Sequence, residues 1–258
     1  MMNSKMLITA GLLLTTNVWA FGEEPIASHD LKIVSEHRGH FSRDYMEFGS
    51  NFGKVGPGLL MTTLEYHSWA KDMRKNGFIP IEGDLADANS VDSFFAPGFM
   101  YFVPISQKMA AGPLAKYQFD DGHRSMLKSG FGGMYNHGNG FYAFAMYRFD
   151  RGLSSKLDRI SYATSDVDRK DLVLGYQSTG WDINLRAAHF HFVRSSTRNV
   201  AKALGHKAEF AEAELTAEYK GFKQFSPYAS VIWESKDQYA NPTAFGNNGF
   251  AVGLKLHF

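Results

Sequence analysis

The chain has 258 residues, 27 Lys and Arg against 26 Asp and Glu, 15% aromatic residues, 25 Gly and no Cys. The near-zero net charge excludes a polyanion binder that works by overall charge, and the lack of cysteine excludes a disulfide framework and a thiolate metal site. No stretch carries about 18 consecutive apolar residues, so no transmembrane helix is expected.

The first segment, Met1 to Ala20, has one Lys (Lys5), an apolar run from Met6 to Leu14, and a close on Val18-Trp19-Ala20. This pattern predicts a secretory signal peptide over 1–20, cleaved after Ala20, with the mature chain beginning at Phe21. The run is too short to cross a bilayer as a helix. Removing the segment takes away Lys5 and no acid, which leaves 26 bases against 26 acids.

From Ala27 onward the chain breaks into alternating segments at about 29–39, 43–53, 58–70, 94–104, 107–119, 124–135, 141–150, 168–177, 181–193, 208–220, 226–236 and 246–258. Period-2 alternation marks strands with one apolar and one polar or small face. Short connections rich in Gly, Asn, Ser and Pro fall near Gly53–Pro57, Ile105–Ser106, Asn136–Gly140, Ser178–Gly180 and Gly221–Phe225, as tight turns require. Longer ones fall near Lys71–Ser93, Arg151–Val167 and Arg194–Lys207. Short turns on one side and long loops on the other are the habit of outer-membrane barrels. The expected fold class is therefore all-β: a transmembrane antiparallel β-barrel of twelve strands, one domain over 21–258.

The last segment carries the clearest pattern. Phe250, Val252, Leu254, Leu256 and Phe258 share one face, and Ala251, Gly253, Lys255 and His257 share the other. Lipid covers such an apolar face, while the second face lines a polar lumen. The same logic turns Leu60, Thr62, Leu64 and Tyr66 outward and Met61, Thr63, Glu65 and His67 inward. It turns Trp181, Ile183, Leu185 and Ala187 outward and Asp182, Asn184, Arg186 and Ala188 inward. On the strand 208–220, Glu212, Glu214, Thr216 and Glu218 face inward. The segment Phe94–Pro104 has aromatics on both faces, so its facing stays open.

Several short motifs carry a family likeness: Glu36-His37-Arg38, Ser42-Arg43-Asp44, Gly58-Leu59-Leu60 to Tyr66, Gly112-Pro113-Leu114, Ser226-Pro227-Tyr228 and Phe250-Ala251-Val252-Gly253 before Phe258. On these the chain resembles the oligogalacturonate-specific porin family of KdgM type, which includes sialic-acid channels. The likeness covers nearly the whole mature chain. It implies a monomeric, narrow outer-membrane pore for passive uptake of acidic oligosaccharides in a Gram-negative bacterium, with basic residues on facing walls. A terminal Phe on an alternating strand also resembles the signal read by barrel-assembly machinery. The chain departs from the family pattern at Ala251, where Arg is common, at Glu65, where a base is common, and in the run of inward acids Glu212, Glu214 and Glu218.

Within that reading the candidate substrate contacts are the inward bases Arg38, Lys116, Lys128, Arg148, Arg186 and Lys255. Fixed Arg and Lys are the usual device for anion pores, and the planar Arg fork matches a carboxylate. The inward acids Glu36, Glu47, Glu65, Asp182 and Glu212 leave a structural alternative open: the same bases hold the wall together as ion pairs. Inward Tyr142, Phe144, Phe190 and Tyr228 either offer a stacking surface or fill the lumen.

Three other readings carry less. Asn136-His137-Gly138-Asn139-Gly140 resembles the motif of the outer-membrane phospholipase, but the nucleophilic Ser that chemistry needs is missing. The stretch also falls in a turn, so no enzyme is expected. Tyr101-Phe102-Val103-Pro104-Ile105 resembles a stretch of nucleoside-specific, Tsx-type channels, which keeps a nucleoside or general small-solute channel as the alternative. His189 and His191 share a face that points outward, where interface polar groups are favoured over metal ligands. No cofactor and no nucleic-acid partner is expected.

Overall fold

The structure, a computed structural model, describes residues 6–8, 16–18, 28–38, 42–70, 92–120, 125–153, 166–193, 195, 198–199, 208–235 and 248–258. Two short strands, β1 (Met6–Ile8) and β2 (Thr16–Val18), pair only with each other. The rest of the signal-peptide reading, and the connection 71–91, lie outside the described residues.

The other strands form one closed barrel. They are β3 (Ser28–Arg38), β4 (Ser42–Val55), β5 (Gly58–Ala70), β6 (Asp92–Pro104), β7 (Met109–Asp120) and β8 (Ser125–Asn136). They continue with β9 (Phe141–Gly152), β10 (Val167–Gln177), β11 (Trp181–Phe192), β12 (Glu209–Tyr219), β13 (Phe225–Glu234) and β14 (Gly249–His257). Each strand pairs antiparallel with its sequence neighbours. The terminal pair β14–β3 closes the ring, with Lys255 opposite Lys32. Closure leaves no edge of unpaired N–H and C=O groups, the condition for a sheet to sit in lipid. The twelve strands follow the expected windows to within a few residues at each end.

Alternation sorts the side chains as expected. Leu174, Leu185, Leu215 and Val231 lie side by side on the outer face of β10–β13, and each is exposed by 42–51%. Their chain neighbours Val173, Arg186, Thr216 and Ile232 are buried inside. A continuous apolar outer face of this kind is not left to water by soluble monomers. At the end of the short turns the outer face becomes aromatic: Phe141 packs on Tyr176 at 4.8 Å, and Trp181 on Tyr219 at 5.0 Å. Amphipathic rings at this level mark a membrane–water boundary.

The tight turns use their sequence chemistry. Asn136 Oδ1 accepts from Gly138 N at 2.9 Å, and Gly138 has φ of 91°. Gly53, at φ of 74°, sits where the β4–β5 register shifts between Asn51 and Lys54. A positive φ is strained for any residue with a Cβ, so glycine is required at these corners.

The open question of β6 is settled by its neighbours. Ala96, Met100 and Phe102 turn inward, and Phe95, Phe99 and Val103 turn outward. An inward Phe102 is accommodated because Gly132, inward on β8 beyond the intervening β7, leaves room for its ring. A Cβ on Gly132 would stand 3.0 Å from the Phe144 ring and 3.3 Å from that of Phe102. Gly175 plays a like part for Tyr142. A Cβ there would lie 2.1 Å from Tyr142 Cζ, and the ring cannot swing away because its hydroxyl donates to Asp182 Oδ1 at 2.7 Å. Gly175→Ala is therefore expected to cost about 1–3 kcal/mol by overpacking. The check is the midpoint of chemical unfolding, which should fall; an unchanged midpoint would show that Tyr142 is free to move.

Candidate functional site

The candidate site is the lumen. Its half nearer the long connections is charged. The chain of contacts starts at Arg43, whose Nη2 lies 2.6 Å from Glu36. Arg38 Nε donates to Glu36 at 2.5 Å, and its Nη1 donates to Glu212 at 2.7 Å and to Glu234 at 3.2 Å. Arg186 donates to Glu212, to Glu214 at 3.0 Å and to Asp171 at 3.4 Å. Arg169 holds Asp171 through two bonds of 2.6 Å. One network therefore runs around the wall from β4 to β10. Guanidinium forks suit this task, because each can bridge two carboxylates at fixed angles.

Bases on the remaining wall are held separately. Arg148 makes a bidentate contact to Asp150 at 2.6 and 2.7 Å. Lys116 donates to Glu65, reaching across inward Gly98 on β6. Lys255 donates to Glu218 at 3.1 Å, and Lys220 stands 3.0 Å from the other oxygen of that carboxylate. Two lysines are placed by rings instead. Lys32 Nζ lies 4.7 Å from the Tyr228 ring and 5.7 Å from that of Tyr45. Lys128 Nζ lies 5.7 Å from the Phe94 ring. That ring ends a stack of three, Tyr45–His67 at 4.7 Å and His67–Phe94 at 4.1 Å. Across the barrel Phe190 stacks on Phe210 at 4.1 Å, with Arg169 over its other face at 4.6 Å.

All six bases singled out from the sequence face inward. Five of them, Arg38, Lys116, Arg148, Arg186 and Lys255, are in contact with carboxylates of the wall. Glu36, Glu65 and Glu212 are partners as the structural alternative foresaw, whereas Asp182 accepts from Tyr142. Glu212, Glu214 and Glu218 are bound to Arg186, Arg38 and Lys255 rather than standing as an isolated acidic strip. Sequence reasoning passed over Lys32, Arg43, Arg169, Asp150, Asp171 and Glu234. A signal for some of them was present. Arg-x-Asp occurs in Arg148–Asp150 and again in Arg169–Asp171, and residues two apart on a strand share a face. The two arginines are also direct cross-strand partners.

The enzyme-like motif carries no catalytic pair. His137 shares a hydrogen bond of 3.0 Å with the Tyr135 hydroxyl, in an exposed turn. His189 and His191 point outward, half-exposed, near Glu209 at 3.6 and 3.9 Å. Among the described residues no group of His, Asp and Glu is arranged to hold a metal ion. In the stretch resembling nucleoside channels, Phe102 is buried inside, while Val103 and Ile105 are exposed and the Tyr101 hydroxyl donates to Val55 O.

A closed barrel with an apolar outer face and charged side chains on its inner wall invites comparison with solved channels. The chain shares its fold with known porins. A KdgM porin solved in complex with disordered oligogalacturonate matches 89% of this chain and 99% of its own, at 11% identity and a TM-score of 0.61. A NanC porin matches 88% of this chain and 98% of its own, at 12% identity and 0.62. The β domain of the Bordetella autotransporter BrkA follows at 12% identity and 0.54. No family model matches the chain, and no curated protein matches it by sequence. At such identities the likeness is one of fold.

Proposed function

We propose that this protein is an outer-membrane channel for passive uptake of acidic oligosaccharides, such as uronate oligomers or sialic acid. The observation that carries the reading is the inner wall: bases from β3, β7, β8, β9, β11 and β14 converge on one lumen inside an apolar belt. The solved KdgM porin, with its oligogalacturonate, is consistent with it. In this reading the protein is exported through residues 1–20, is assembled through β14 and its terminal Phe258, and works as a monomer in the outer membrane of a Gram-negative cell.

The ion pairs set the mechanism. A free ring of cations would hold a polycarboxylate too tightly to release it. Here most of the guanidinium and ammonium groups already have a wall carboxylate. A carboxylate in transit at Arg38, Lys116, Arg148, Arg186 or Lys255 exchanges with the wall partner, so one charge-assisted hydrogen bond replaces another and the barrier stays low. Lys128 and Lys32 differ, because each rests on ring faces and no described carboxylate lies within ion-pair distance of either. Of the six candidate contacts, Lys128 is the one without such a carboxylate.

Lys128→Gln is expected to lower the flux of uronate trimers into liposomes about twofold to fivefold, the effect of roughly 0.5–1 kcal/mol on partitioning. Flux of neutral trimers should not change, and anion preference in planar bilayers should fall with that of the uronate. The same series with nucleosides tests the alternative. Nucleosides crossing faster than uronates, with Lys128→Gln neutral for both, would overturn the acidic-sugar reading.

A further inference from the structure

The half of the lumen nearer the short turns is built differently, and its two walls are unlike. Along β5–β9 the inward side chains include Met61, Met100, Phe102, Met134, Phe144 and Met146, which form one apolar cluster with no member more than 8% exposed. Met61 and Met100 are cross-strand partners, as are Met134 and Phe144. Phe102 and Phe144 meet edge to face at 6.2 Å, although two strands separate them. Glycine at 132 makes that approach possible. The wall that completes the ring is polar and charged, with Asn184, Thr216, Ser230 and Ser226 beside Asp30, Asp182 and the Lys255–Glu218 pair buried on its inner face.

The barrel ladder does not require this cluster, since its strands are held by their own hydrogen bonds. Channel-forming barrels have polar interiors, and an apolar constriction tends to shed water. A sugar hydroxyl pressed against such a wall loses its hydrogen bonds and finds none in return. An acyl group replaces the apolar contacts it displaces. Methionine suits this exchange, because its unbranched, polarisable chain repacks around objects of different shape. The polar wall opposite can take the hydroxyl and carboxylate edge of the same solute.

We infer that the turn-side half of the lumen is a subsite for apolar substituents, and that the preferred solute is an acidic oligosaccharide carrying O-acyl groups. The inference rests on the channel reading above and narrows its substrate class. The solute enters past the ion-pair network with its carboxylates, then passes its acyl groups along the methionine–phenylalanine wall and its hydroxyls along the opposite one.

The test compares a uronate trimer with its O-acetylated form, equal in length and charge, in liposomes loaded with the purified full chain. The acetylated trimer should cross at least about threefold faster, less than the tenfold that 1.4 kcal/mol represents. Met100→Gln with Met134→Gln keeps side-chain length and adds hydrogen-bonding groups. It should abolish the preference, bringing the two trimers to equal rates. Equal rates for the two trimers in the unmodified protein overturn the inference whether or not the double variant assembles. A preference that survives the double variant also overturns it. If neither trimer crosses, the acidic-oligosaccharide channel itself fails, and this subsite falls with it.

Discussion

Replacing Arg186 by methionine is expected to destabilise the barrel by roughly 3–5 kcal/mol, the usual cost of removing one side of a buried ion pair. Arg186 lies on the inner face of β11 with its side chain 5% exposed, and it contacts Glu212, Glu214 and Asp171. The substitution preserves most of the apolar stem and removes only the charge and its donors. Glu212 retains Arg38, and Asp171 retains Arg169. Glu214 keeps no described cation, and three carboxylates then repel one another across β10–β12. Adding Glu214→Gln to the variant should recover part of the loss, because it removes the stranded charge. The measurement is chemical unfolding of the reconstituted protein, with both variants beside the parent. A loss below about 1 kcal/mol would mean that the network is screened by lumen water, as surface pairs are, and that it shapes the wall without stabilising it.

Leu185→Arg tests the opposite face, with a comparable effect for a different reason. Leu185 is mid-strand on β11, 44% exposed, between Leu174 and Leu215 on the neighbouring strands. In lipid a midplane arginine there costs roughly 2–4 kcal/mol, and the fraction of folded, heat-modifiable protein in membranes should drop sharply. Leu185→Ala should lose far less, since it removes contact area but buries no charge. Were the outer face in water, the arginine would be harmless, so normal assembly of Leu185→Arg would sink the membrane reading altogether.

Much of this architecture was legible from alternation alone. A strand has a side-chain period of two, and one face in lipid makes any slip of register place charges in hydrocarbon. That is why Arg186 and Leu185 could be assigned to opposite faces before any pairing was known. The exception, β6, shows where the rule fails. Phe94 and Phe102 face the lumen and Phe95 and Phe99 face outward, so hydropathy carries no sign along that segment. Its facing follows instead from space on β8, where glycine at 132 admits the rings of Phe102 and Phe144.

The composition of the lumen was equally readable, because inward bases and acids announce themselves by position in each strand. Which base meets which acid was not. Arg38 reaches Glu212, 174 residues away in the chain, and Lys116 reaches Glu65 across an intervening strand. Those pairings depend on barrel closure at β14–β3 and on the stagger between strands, neither of which any single strand encodes. For the same reason the methionines of β5, β6, β8 and β9 look unrelated in sequence and become one apolar wall only when the ring closes. Local period and turn chemistry determined a twelve-stranded barrel with a lipid face and a charged interior. Closure and register decided that most of the cations are partnered, that Lys128 rests on a ring, and that one side of the lumen is apolar, since these are contacts between strands far apart in the chain.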